Sequence, residues 1–203
     1  MKSINDLSSE QQKNQIYRFR YDVYCDEMKL PLKDEQGKLV DEFDRYSTSF
    51  LLAKSSEEIG TIRVTMAKDG PLEIAAQCLQ WNERVADILK HDTDRVCEFT
   101  RLMVRHDQRG GEAVAQLIDA GLQHCVSNQI DVILLAGKKG VFSRFYGMFG
   151  AEVIDTTPFE YVIDGHVLGE YYLMKVDLRY ARARMVATIW KMSNRELVKR
   201  LGL

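Results

Sequence analysis

At 203 residues with a formal net charge of -2, the chain is long enough for one large domain with its own core, and it lacks the basic excess of a general nucleic-acid binder. Hydrophobic residues make up 45% and charged residues 29%, ordinary for a soluble globular protein, and no apolar run approaches the roughly 18 to 20 residues that cross a bilayer. The polar start Met1-Lys2-Ser3-Ile4-Asn5-Asp6 has no apolar signal-peptide stretch, which predicts a cytoplasmic location.

Residues 8–26 read as a first helix, with Ile16, Phe19, Val23 and Tyr24 recurring at helical steps and Ser8 or Ser9 available as its cap. Pro31 and Gly37 punctuate a loop over 29–45, after which 49–54 and 58–66 alternate as the strands of a hairpin. A weaker periodicity over 72–91 predicts one or two short helices, followed by a strand at 95–104. A helix over 111–127, a buried strand at 131–136 and a short helix over 142–149 stopped by Gly150 come next. Segments 161–163 and 171–176 return to β-type patterning and close the sheet. Residues 1–178 thus read as one α/β (α+β) domain, a mixed sheet flanked by helices. Residues 179–203 form an amphipathic helical extension that packs on the domain or on a second copy, as a homodimer would require.

Cys25, Cys78, Cys97 and Cys125 lie far apart beside apolar residues, so buried free thiols are expected. His91, His106, His124 and His166 are equally scattered, and no metal site is expected.

The chemistry concentrates where the strand containing Glu98 and Arg101 runs into Gln108-Arg109-Gly110-Gly111-Glu112-Ala113 and a helix. Glycines let a ligand approach the backbone, and the first N–H groups of a helix have no intrahelical partner, so this junction suits an anion such as phosphate. A tight strand-to-helix connection is the plainer reading of the same residues. Arg105, Arg109, Lys138, Lys139 and Arg144 surround the loop, a local basic patch that would steer an acidic partner.

The Gln-x-x-Gly-x-Ala spacing, together with the later Phe145-Tyr146-Gly147-Met148-Phe149-Gly150, resembles the signatures of the GCN5-related N-acyltransferases (GNAT). In that family the loop grips the pyrophosphate of coenzyme A or the phosphopantetheine of acyl carrier protein. Arg20 with Tyr24, Asp41-x-x-Asp44, Arg63 and Glu98-x-x-Arg101 resemble the charged set of the acyl-homoserine-lactone synthases, a branch of the same fold. Val23-Tyr24-Cys25-Asp26-Glu27 is closer to the long-chain N-acyl amino acid synthases and exosortase-associated acyltransferases. A surface network of salt bridges is the alternative reading of these charges.

The resemblance implies an N-acyltransferase moving a long-chain acyl group from acyl carrier protein, or acyl-CoA, to the α-amine of an amino acid. A lactone synthase using S-adenosylmethionine, and a non-catalytic module binding acyl carrier protein or a lipid, are the alternatives. On the family's pattern Glu98 takes the amine proton directly or through one water, and Arg101 orients it or holds a substrate carboxylate. Tyr146 donates to the pantetheine sulfur, a simple core tyrosine being the other reading. The N–H groups of Met103 and Val104 polarise the thioester carbonyl where the strand splays. Gln108, Arg109, Gly110, Gly111, Glu112 and Ala113 hold the donor's phosphate, and Arg20, Tyr24, Asp41, Asp44 and Arg63 shape the acceptor pocket.

Overall fold

The computed structural model describes residues 2–6, 10–32, 34–78, 83–109, 111–138, 140 and 146–194. In chain order these form β1 (Lys2–Asp6), α1 (Glu10–Asp22), β2 (Ser47–Lys54), β3 (Glu57–Met66), α2 (Glu73–Cys78) and α3 (Glu83–Asp92). They continue with β4 (Val96–Val104), α4 (Gly111–Ser127), β5 (Val132–Gly137), β6 (Glu152–Val153), β7 (Phe159–Ile163), β8 (His166–Asp177) and α5 (Leu178–Ser193).

Period-two alternation assigns each strand's side chains to two faces. On β3, Ile62, Val64 and Met66 join a core with the buried residues of α4 and α5, while Thr61, Arg63 and Thr65 are buried on the opposite face. On β5, Ile133 and Leu135 enter that first core, and Val132 and Leu134 enter a second one with Phe19, Tyr24 and Ile74 from α1, its continuation and α2. Helix α4 earns its place by a stripe at four-residue steps, Ala113, Leu117, Gly121 and Cys125, with Ile118 and Leu122 beside it. Ala181, Met185 and Ile189 of α5 complete this layer.

The sheet order is β1-β2-β3-β4-β5-β8-β6, with β7 paired to the first half of β8. The pair β4–β5 is parallel and the other pairings are antiparallel. Strands β1 and β6 were not anticipated from patterning: the first is polar, and the second is two residues long. Of the short helix expected over 142–149, residues 142–145 lie outside the described residues, and Tyr146–Phe149 form one 3-10 turn. Residues 195–203 of the expected C-terminal helix also lie outside them. Among the described residues no helix is long and apolar enough to cross a membrane.

Candidate active site

Two strand irregularities build the site. The ladder between β4 and β5 runs only from Val96↔Val132 to Phe99↔Leu135. Beyond it β4 continues to Val104 against β3, while β5 continues to Gly137 against β8. The strands therefore part and, among the described residues, the β5-facing edge of β4 has no ladder from Thr100 onward, a stretch that contains Met103 and Val104.

The second irregularity is a bulge on β4. Thr61↔Met103 and Arg63↔Thr100 bracket it, so Arg101 and Leu102 together stand opposite Ile62. Arg101 takes φ 52, a left-handed conformation that costs a non-glycine residue roughly 1–2 kcal/mol. Strict alternation over three residues would separate Glu98 and Arg101 across the sheet. The extra residue turns Arg101 to the side of Glu98 and Thr100, and Leu102 to the side of Phe99.

On that side lies a buried charge network. Arg63 donates to Asp41 at 2.5 Å, to Asp44 at 3.1 Å, to Thr100 Oγ1 at 2.9 Å and to Glu73. Arg101 pairs with Asp41 at 2.6 Å and Glu73 at 2.9 Å and reaches the Tyr24 hydroxyl at 3.3 Å. Arg20, on the buried stripe of α1, pairs with Asp44 at 2.6 Å and donates to Ser49 Oγ at 3.0 Å. The Asp41-x-x-Asp44 spacing has a local cause: the two form a reciprocal capping box on the 3-10 turn Glu42–Tyr46. Burial opposes ionisation of Asp41, but the guanidiniums of Arg63 and Arg101 outweigh it and hold its carboxyl at about 2. Three guanidiniums, Arg20, Arg63 and Arg101, are thus matched by the carboxylates of Asp41, Asp44 and Glu73.

Glu98 is the fourth carboxyl. It is fully buried, and its two oxygens accept the backbone N–H groups of Glu73 at 2.7 Å and Ile74 at 2.8 Å, at the start of α2. Burial, helped by the neighbouring Glu73, raises its pKa to about 7 against the opposing pull of those N–H groups and Arg63. Of the two routes expected for Glu98, direct contact with the amine or relay through one water, this enclosure accommodates the relay. Each oxygen keeps one further lone pair, so a relayed proton transfer remains open to it. Glu73, which no sequence signal singled out, proves to be the hub joining Glu98, Arg63 and Arg101. An acid in the first turn of a six-residue helix looks like an ordinary dipole partner.

A cleft of about 190 Å³ occupies the opening between β4 and β5. Of the residues named from sequence, Tyr24, Arg101, Met103 and Tyr146 line it. Arg20, Asp44 and Arg63 do not: they are buried behind it, where their charges satisfy one another. Behind Phe99, Leu102 and Tyr146, which border both spaces, lies a small apolar cavity of about 20 Å³ between the sheet, α4 and α5. Burial pushes the Tyr146 phenol up to about 12, so it stays protonated at neutral pH.

At the mouth, α4 starts at Gly111 as expected, and Gly110 lies outside the described residues. Arg109 is half-exposed. It donates to the Val104 carbonyl at 3.1 Å and pairs with Glu27 at 2.7 Å, while Glu27 also accepts the His106 N–H at 3.0 Å. Gln108 donates to Asp107 at 3.1 Å. Glu112 and Ala113 form the first turn of α4, Ala113 buried in the core. A wider groove of about 1060 Å³ follows α5 past exposed Tyr180, Val186 and Trp190. It sits by Arg95 and Asp131, at the opposite end of β4 from the parted strands.

The parted strands, the mouth loop and the buried network can now be set beside known proteins. A sequence profile of the family described as N-acyl amino acid synthase FeeM matches residues 15–162. No curated protein matches the chain. Among solved structures, FeeM, an N-acyl amino acid synthase from uncultured soil microbes, superposes with TM-score 0.69 at 14% identity, covering 94% of this chain and 98% of that one. The CoA-dependent acyl-homoserine lactone synthase BjaI, solved with MTA, gives TM-score 0.67 at 19% identity over 95% and 90%. A Lactobacillus plantarum protein described as an N-acetyltransferase gives 0.60 at 20% over 87% and 98%. The chain has the GNAT acyltransferase fold in its acyl-homoserine-lactone-synthase-like form, and it is an acyltransferase belonging to the N-acyl amino acid synthase FeeM family.

Proposed function

We propose that the chain transfers a fatty acyl group from the phosphopantetheine thioester of acyl carrier protein, or from acyl-CoA, to the α-amine of an amino acid. The observation that carries this reading is the pairing of a polar cleft between parted strands with an apolar cavity directly behind it. The cleft suits a pantetheine arm and an amine, and the small apolar cavity marks where a hydrocarbon chain enters once the side chains around it, Phe99 and Met185 among them, give way.

In this mechanism the donor's phosphate rests at the start of α4 beside Arg109, and the thioester carbonyl takes hydrogen bonds from the free edge of β4 near Met103 and Val104. The acceptor ammonium gives a proton, through a bridging water, to Glu98, whose pKa near 7 suits a base at neutral pH. The nitrogen lone pair then forms the N–C bond, the C–S bond breaks as the departing thiolate takes a proton from Tyr146, and the second proton lost by the nitrogen passes through solvent to restore the Tyr146 phenol. Arg20, Asp41, Asp44, Arg63 and Glu73 act as positioning residues that hold Arg101 and α2, and Tyr24 forms part of the acceptor wall.

Extracts of cells expressing the chain, analysed by mass spectrometry, are expected to contain N-acyl amino acids that control cells lack. Their absence with acylated carrier protein supplied contradicts the reading. Release of methylthioadenosine from S-adenosylmethionine by the purified protein would replace it with lactone synthesis.

A further inference from the structure

The charge lining the cleft is one-sided. Among the described lining residues the ionic side chains are Arg101 and Lys138, with no carboxylate. Arg101 is already matched by Asp41 and Glu73. Lys138, the residue after β5 and exposed, has no carboxylate partner among the described residues, and its ammonium lies 5.6 Å from the centre of the Tyr171 ring. Across the opening, Arg101 leaves its buried Nε–H without a hydrogen-bond partner. Tyr24, Tyr161 and Tyr171 supply much of the remaining wall, the last two rings 5.0 Å apart.

Resting on the proposed acyl transfer to an amino acid, we infer that Lys138 binds the acceptor's free carboxylate, so that the preference for an amino acid over the same amine without its carboxylate depends on this side chain. An unpaired cation at the rim, in a lining that offers no competing carboxylate among the described residues, complements a carboxylate on the ligand. The tyrosine wall complements a flat or apolar side chain. The same positive lining opposes an extra cation on the ligand. S-adenosylmethionine also carries a carboxylate, but its sulfonium would meet no carboxylate among the described lining residues. A surplus positive charge further favours the free amine over the ammonium, the form that attacks.

The test measures initial rates of the purified enzyme with a fixed acyl donor and four acceptors: L-tyrosine, L-phenylalanine and their primary amides. Wild type is expected to prefer each acid to its amide in kcat/KM, and Lys138→Met is expected to erase that preference through an acceptor KM about ten- to hundred-fold higher for the acids alone. Lys138→Arg should restore much of it, and any change in the donor KM, since Lys138 also belongs to the basic patch around the loop, should be the same whichever acceptor is used. Equal use of acid and amide by wild type overturns the inference while leaving acyl transfer intact, as does an equal loss on both in Lys138→Met. A wild-type enzyme that acylates none of the four overturns the underlying reading and the inference with it.

Discussion

Glu98 concentrates both stability and chemistry in one side chain. Its folded pKa, about 7, lies above the ordinary 4.5, so the folded protein holds its proton more tightly than the unfolded chain does. That contribution is fully present below pH 4.5 and is lost as the pH rises through 7, a swing of roughly 3 kcal/mol. Asp41 has the opposite sign: its depressed pKa adds stability above 3.8 that disappears as the pH falls through 2. Glu98→Gln should therefore flatten the fall in denaturant midpoint between pH 5 and 8. It should also lower kcat while leaving acyl-donor binding nearly unchanged, and a fully active Glu98→Gln enzyme would remove Glu98 from the proton path. Arg101→Ala removes one of the two guanidiniums that Asp41 and Glu73 share, leaving Arg63 as their remaining partner, and should cost at most about 3–5 kcal/mol by urea titration. Charged residues at Arg20, Asp41, Asp44, Arg63, Glu98 and Arg101 were visible in the sequence, since such spacings form a pattern. Which of them would reach the cleft was not, because burial depends on neighbours distant along the chain.

At the scale of elements, periodicity located most helices and strands, α4 to its final boundaries, because one continuous apolar face governs each. The bulge on β4 escaped such reading: Phe99-Thr100-Arg101-Leu102 contains no glycine or proline to announce it, and ion pairs to other elements hold Arg101 in place. Gly121 of α4 lies where an added Cβ would come within 2.8 Å of the Phe99 ring, which borders both the cleft and the apolar cavity. Gly121→Ala should push that ring into the cavity and shift preference toward shorter acyl chains, at a stability cost of about 1–3 kcal/mol. Competition among donors of graded chain length measures the shift; an unchanged profile would place the chain elsewhere. At the loop before α4, Arg109→Glu sets a carboxylate beside Glu27 and before the helix N-terminus. The donor KM should rise, and less so at higher salt. Stability should barely change, since an exposed ion pair contributes about 0–1 kcal/mol.

Across the whole molecule, the order β1-β2-β3-β4-β5-β8-β6 places one parallel pair in the middle of an otherwise antiparallel sheet, and the opening of that pair is where the cleft forms. Motif order in the sequence pointed to this region, but the apolar cavity behind it is made jointly by β4, α4, β5 and α5 and has no local signature. The central claim is that this opening joins an acyl thioester to an amino acid. Purified protein should be given acylated carrier protein and L-tyrosine or L-phenylalanine, with free thiol and product mass followed together. One N-acyl amino acid should form per thiol released, and thiol release should collapse when the amino acid is omitted. Thiol release that is indifferent to the amino acid, with free fatty acid as its product, would contradict the account.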